Sequence, residues 1–157
     1  PVMGATSGTR FLPPDGVRAL ARTLLPRATL VTPNWPEAEA LTGRRIRTGT
    51  EVERAAHALI ATGCAAVLVK GGHGPGAVCR DCLVTAGGHV RWFEGARITT
   101  RNTHGTGCVL SSAIAVGLAQ GKSVEAAIVA ARAFLRRALQ CGRRTKAGAG
   151  SGPAFFG

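Results

Sequence analysis

The sequence predicts an α/β layered fold. Three observations carry that expectation. Strand-like and helix-like segments alternate along the chain; Ala65-Ala66-Val67-Leu68-Val69-Lys70 is an almost unbroken apolar run, the signature of a strand covered on both faces; and helical segments are bounded by capping residues, proline or glycine. With 157 residues, 45% of them hydrophobic, the chain has the size of one domain able to bury about 70% of its unfolded surface.

Taken in order, Pro1-Val2-Met3 reads as the end of a buried strand with no polar leader, so the chain is expected to lack its natural beginning. Asp15 to Leu25 has apolar residues at helical spacing after two prolines, with Asp15 as the cap and Pro26 as the stop. Ala28-Thr29-Leu30-Val31-Thr32, β-branched and ended by Pro33, is a strand. A helix follows Pro36, running through Glu37-Ala38-Glu39-Ala40-Leu41-Thr42 to Gly43. Thr50-Glu51-Val52-Glu53 is read as a capping box opening a helix through Ala61, with Gly63 as its terminator. After the apolar strand, Val78 to Thr85 and His89 to Glu94 form a hairpin across Ala86-Gly87-Gly88. Two helices, Cys108 to Ala119 and Ser123 to Leu139, meet at Gly121, with Ser123 capping the second. The tail, 142–157, is basic and then Gly/Ala-rich, without periodicity; it is expected to be mobile or to pack through Phe155-Phe156. The domain division is therefore 1–141 and a tail of 142–157.

Twenty Lys+Arg against eight Asp+Glu give a net charge of +12, which favours an anionic partner. Nucleic acid is disfavoured, because tyrosine is absent and aromatics make up 4% of the chain, leaving no stacking platform. The longest uncharged apolar stretch, Cys108 to Ala119, is too short to cross a bilayer. Five scattered cysteines do not make a disulfide framework and point to a reducing cytoplasm. Cys79-Arg80-Asp81-Cys82 has no second pair, and on a strand its thiols point to opposite faces, so zinc or redox work is not expected.

Gly117 to Ser123 resembles a P-loop but has three residues, not four, before the Gly-Lys pair and follows a helix; it is read as a helix-to-helix turn. The segment Thr99 to Cys108 differs, since it leads from a strand into a helix with Gly105 and Gly107 at the junction. Such a junction aims unpaired amides and the positive helix end at one point, where an anion sits, and glycine admits a phosphate close to the backbone. A plain Gly-rich turn is the alternative for that loop alone. Asn34 and Glu37 stand at the C-terminal end of a strand in the N-x-x-E spacing of a metal-phosphate site; Glu37 as an ordinary first-turn residue is the competing reading. Lys70 occupies the same end of the next strand, before Gly71-Gly72-His73-Gly74, as a point charge for phosphate; His73 is read as a loop hydrogen-bonder.

Four motifs in this order, Pro1-Val2-Met3 with Ala5-Thr6-Ser7-Gly8, Thr32-Pro33-Asn34 with Pro36-Glu37-Ala38-Glu39, Val69-Lys70-Gly71-Gly72-His73, and Asn102-Thr103-His104-Gly105-Thr106-Gly107-Cys108, resemble the hydroxymethylpyrimidine/phosphomethylpyrimidine kinases of thiamine biosynthesis, in the ribokinase-like superfamily. The resemblance implies a mostly parallel sheet flanked by helices, with N-terminal strands missing from this chain. It also implies ATP-dependent phosphorylation of hydroxymethylpyrimidine or its monophosphate with Mg²⁺. Carried over by motif, Gly105, Thr106, Gly107 and Cys108 form the anion hole, and Cys108 is the candidate base on the substrate hydroxyl. At a helix start the positive end favours its thiolate. Asn34 and Thr106 contact the nucleotide, Lys70 its phosphate, Glu37 the metal, and Val2 the pyrimidine.

The family's N-terminal portion, with most pyrimidine contacts, has no counterpart here. The chain by itself is accordingly expected to be inactive, needing a missing N-terminal segment or a homo-oligomer. Two alternatives stay open: a non-catalytic nucleotide- or partner-binding remnant of a split kinase, and a pyridoxal kinase-like enzyme. A thiol hydrolase built on Cys108 and His104 lacks an orienting acid nearby.

Overall fold

In a computed structural model the chain is described over residues 1–4, 9, 11–143, 145, 150 and 152–154. The motif segment Ala5-Thr6-Ser7-Gly8 and the expected packing of Phe155-Phe156 lie outside the described residues, as does most of the Ala147 to Ser151 stretch. The chain divides into two units, Pro1–Ala96 and Arg97–Gly157, so the boundary falls before the glycine loop; the last helix runs through Gly142.

The N-terminal unit is organised by helix α3, Gly49–Ile60. Val52, Ala55, Ala56 and Leu59 recur at i, i+3, i+4 and i+7, form one apolar stripe and are completely buried. They pack with Val31, Ala38, Val67, Val69, Cys82 and Val84 in one core. The cap of α3 lies two residues earlier than the sequence suggested. Thr48, not Thr50, accepts from the Glu51 amide, and the Glu51 carboxylate accepts from the Thr48 amide at 2.8 Å. Threonine at either position satisfies the pattern, but only Thr48 leaves Glu51 at the third helical position. A second acceptance, from the Arg47 amide, is the largest cause holding the Glu51 carboxyl below its ordinary range.

Strand β1, Ala66–Val69, is buried at every residue, as the apolar run required. It pairs antiparallel with β2, Val78–Thr85, which pairs antiparallel with β3, Val90–Ala96. The expected hairpin is thus present. The expected parallel pairing is confined to the other edge of β1, where Val31 bridges Val67 and Asn34 bridges Lys70. Val31 donates to the Ala66 carbonyl and Leu68 to that of Val31, but Pro33 has no N–H, and the 28–34 segment does not develop into a full strand.

The helix expected over 15–25 is segmented. Helix α1 spans Pro14–Ala19, a π turn covers Leu20–Leu24, and a 3₁₀ turn covers Leu25–Arg27. Pro26 offers no amide and its ring crowds the carbonyl four residues back, which loosens the preceding turn. Asp15 lies inside the first turn and pairs with Arg18, and Pro13 occupies the cap position. At the chain start, Val2 is 56% exposed and residues 1–3 form no strand, whereas Met3 is buried. The sequence signal there came from apolarity alone, and among the described residues no strand pairs with this segment to bury Val2.

In the C-terminal unit, α4, Thr106–Ala119, packs on α5, Val124–Gly142; Leu110, Ile114 and Gly117 of α4 and Ala127, Ile128 and Ala131 of α5 are buried, and Gly117 lies directly against Ala127. Ser123 caps α5, and the P-loop look-alike is the turn between the two helices. Among the described residues no helix is long and apolar enough to cross a membrane.

Candidate active site

Each unit carries one set of the residues singled out from the sequence. In the N-terminal unit, helix α2, Trp35–Thr42, begins where the 28–34 segment ends, and Asn34 is its cap. The Asn34 side-chain oxygen accepts from the Glu37 amide at 2.9 Å, and Glu37 Oε2 accepts from the Asn34 amide at 2.7 Å. The N-x-x-E spacing is therefore a reciprocal capping box, a structural role that sequence reasoning missed although the pattern of a polar cap with Glu three residues on was available.

The same carboxylate faces Lys70. Lys70 donates its amide to the Pro33 carbonyl at 2.8 Å, which sets the end of β1 beside the start of α2. Its Nζ stands 3.6 Å from Glu37 Oε2, with the side chains 15% and 12% exposed. The fold thus brings Asn34, Glu37 and Lys70 together. Glu37 Oε1 takes no protein donor among the described residues. One open carboxylate oxygen suits Mg²⁺, which keeps most of its shell as water and phosphate oxygens; no group of three metal-ligating side chains occurs among the described residues.

In the C-terminal unit the glycine loop enters α4 through Gly105, whose φ of +76° lies in the left-handed region that only glycine adopts without strain. Gly105 is the helix cap and supplies no side-chain acceptor. Thr106 turns its hydroxyl back to the Thr103 carbonyl at 3.0 Å. The Val109 amide is the first paired to a helix carbonyl, that of Gly105, while those of Gly107 and Cys108 have no acceptor among the described residues. Two amides and the positive helix end are left for an anion. Cys108 is exposed in this first turn.

Asn102, given no role from the sequence, is buried and donates to the carbonyls of Gly142 and Thr145, while the His104 amide bonds the Gly152 carbonyl. These bonds tie the loop's entry to residues some forty positions later. Their only sequence signal was an Asn ahead of a Gly-rich turn. Val2 is exposed at the chain start, and His73 is exposed in the 3₁₀ turn Gly71–His73.

The thiols divide as expected. All five are free; Cys79 is partly exposed on β2 and Cys82 fully buried, on opposite faces. Burial, and secondarily the Glu53 charge, pushes Cys82 up to about 12, and burial also raises Cys64.

A family model described as phosphomethylpyrimidine kinase matches residues 1–154. The chain belongs to the phosphomethylpyrimidine kinase family. It is 50% identical to a hydroxymethylpyrimidine/phosphomethylpyrimidine kinase of Rhizobium meliloti over 155 residues, 98% of this chain and 58% of the relative. A Streptomyces coelicolor kinase of the same description is 40% identical over 157 residues, 100% of this chain and 57% of the relative. Among solved structures, a Staphylococcus aureus pyridoxal kinase in complex with ADP has a TM-score of 0.88 at 30% identity, over 98% of this chain and 55% of that one. A Clostridium difficile phosphomethylpyrimidine kinase gives a TM-score of 0.73 at 32% identity, over 88% and 55%. The fold is therefore the ribokinase-like α/β fold, and the chain spans little more than half the length of the curated relatives it matches.

Proposed function

We propose that this chain supplies phosphate-handling residues for ATP-dependent phosphorylation of hydroxymethylpyrimidine and its monophosphate in thiamine biosynthesis, in the cytoplasm, where its five free thiols are at home. The observation that carries the reading is the pair of amides at Gly107 and Cys108, which have no acceptor among the described residues, at the start of α4 in a chain whose relatives are kinases. Backbone donors fixed in place before the reaction stabilise the charge on a phosphoryl group without reorganising. Gly105 makes the turn that frees them, and Thr106 contacts the nucleotide phosphates. Cys108 accepts the proton of the substrate hydroxyl as its oxygen bonds to the γ-phosphorus and the bond to ADP breaks.

Lys70 neutralises phosphate charge, and a phosphate competes with Glu37 for its ammonium. Asn34 serves by capping α2 and so fixing Glu37. Glu37 would hold Mg²⁺ through its open Oε1, and the ion when bound would supply charge neutralisation on ATP. ATP is supported by neighbours solved with ADP and with AMP-PCP. Val2, exposed at the chain start, contacts the ring.

The test is turnover. The 157-residue chain is mixed with the part of the Rhizobium meliloti relative that it does not cover, and phosphorylation of hydroxymethylpyrimidine is measured. The reading requires activity in the mixture that Cys108→Ala abolishes. Binding of Mg-ATP without turnover in any mixture would instead favour a non-catalytic remnant. The likeness to the Staphylococcus pyridoxal kinase favours a second substrate, so pyridoxal is offered in the same assay; a preference for it would replace the pyrimidine assignment.

A further inference from the structure

Strand β2 carries a buried carboxylate that neither the kinase motifs nor the core explains. Asp81 is 4% exposed, next to Cys82, Leu83 and Val84, which are completely buried. Aspartate is disfavoured in strands, and a buried carboxylate is expensive unless strongly hydrogen-bonded. Its register partner on β3 is Phe93, whose side chain has no polar atom to offer. Asp81 Oδ1 instead accepts from the Gly71 amide at 2.7 Å, ten residues back in the chain, a charge-assisted bond roughly twice as strong as a neutral one.

Gly71 follows Lys70 directly. The contact is as close as backbone allows: a Cβ at Gly71 would stand 1.8 Å from the Arg80 carbonyl oxygen, so Gly71 lies against β2 at the residue before Asp81. Lys70 is thereby clamped from two sides. Its own amide is bonded to the Pro33 carbonyl on the α2 side, and the amide of the next residue is bonded to Asp81 on the β2 side. Between these anchors its side chain reaches Glu37.

We propose that Asp81 is a positioning residue for Lys70: its carboxylate holds the turn after β1 so that the ammonium stays at Glu37, ready for a phosphate. The role in phosphate binding rests on the function proposed above; the placement of Lys70 does not. The experiment uses the whole chain with Asp81→Ala, which removes the acceptor, and Asp81→Asn, which keeps an oxygen for the Gly71 amide.

Competitive acetylation with acetic anhydride, read by mass spectrometry, compares Lys70 with the exposed Lys122 as internal reference. In the wild type Lys70 labels slowly, D81A speeds it at least about threefold with Lys122 unchanged, and D81N restores it, as expected for loss and recovery of a hydrogen bond to a charged group. Mg-ATP affinity falls about tenfold in D81A, and not at all when D81A is placed in a Lys70→Met background, because the two changes then remove the same contact. Unchanged Lys70 labelling in D81A, equal acceleration at Lys122, or an equal affinity loss in both backgrounds would overturn the proposal. A wild-type chain that labels as described yet shows no affinity for Mg-ATP sinks the phosphate reading while leaving the placement of Lys70 by Asp81 standing.

Discussion

The two regions proposed to handle phosphate are built on opposite plans. Around Lys70 the polar groups of the site are largely satisfied by the protein itself: Asn34 and Glu37 cap each other, Lys70 meets Glu37, and Asp81 takes the Gly71 amide. At the start of α4 the donors are left open, since Gly105 caps without a side chain and Gly107 and Cys108 have no acceptor among the described residues. A region of the first kind defends its own geometry, and substitutions there act on stability as well as on ligand. A region of the second kind is stable only as far as its backbone is unstrained, and substitutions there act on ligand.

The largest expected effect is at Gly71. Gly71→Ala forces β2 and the turn apart and should cost about 3 kcal/mol or more of stability, at the upper end for overpacking, in urea unfolding. Gly72→Ala next door, with open space around its Cβ, should cost under about 1 kcal/mol. Equal effects at the two glycines would break the contrast.

Gly105→Ala has room for its Cβ but must hold a positive φ, so the expected cost is about 1–2 kcal/mol. Binding of Mg-ATP or inorganic pyrophosphate should fall more steeply than stability does. A smaller effect separates the caps. Thr48→Ala should lose about 1 kcal/mol and Thr50→Ala less than about 0.5 kcal/mol, and the reverse order would restore the cap at Thr50.

A further effect is expected at alkaline pH. Cys82 keeps its proton up to about 12 in the folded chain, above the ordinary thiol value of 9.0. Between those values the unfolded chain binds fewer protons, so stability falls as pH rises above 9 and the contribution is intact below it. Cys82→Ala should show a shallower decline in Tm over that window.

The fold was legible where periodicity and capping spoke with one voice. The 52-55-56-59 stripe, the apolar β1, the hairpin at Ala86-Gly87-Gly88 and the turn at Gly121 follow from residue type at fixed spacing. The glycine loop was legible as a Gly-rich entry to α4, but the strand expected directly before it is absent, since β3 ends at Ala96 and residues 97–103 form none. What was not legible depends on partners distant in sequence. Asp81 looks like part of a C-x-x-C until Gly71 is seen beside it, and Asn102 has no meaning without the end of α5. Asn34 and Glu37 were visible but ambiguous, since one spacing serves a capping box and a metal-phosphate site alike. Val2 misled because apolarity alone cannot say whether another strand covers it.

The most direct test of the central claim, that the first turn of α4 keeps its amides for phosphate, is an amide NMR titration of the chain with Mg-AMP-PCP. The expected result is saturable shifts at Gly107 and Cys108, abolished by Gly105→Ala. Saturable binding that shifts other amides and leaves 105–108 unmoved would contradict it.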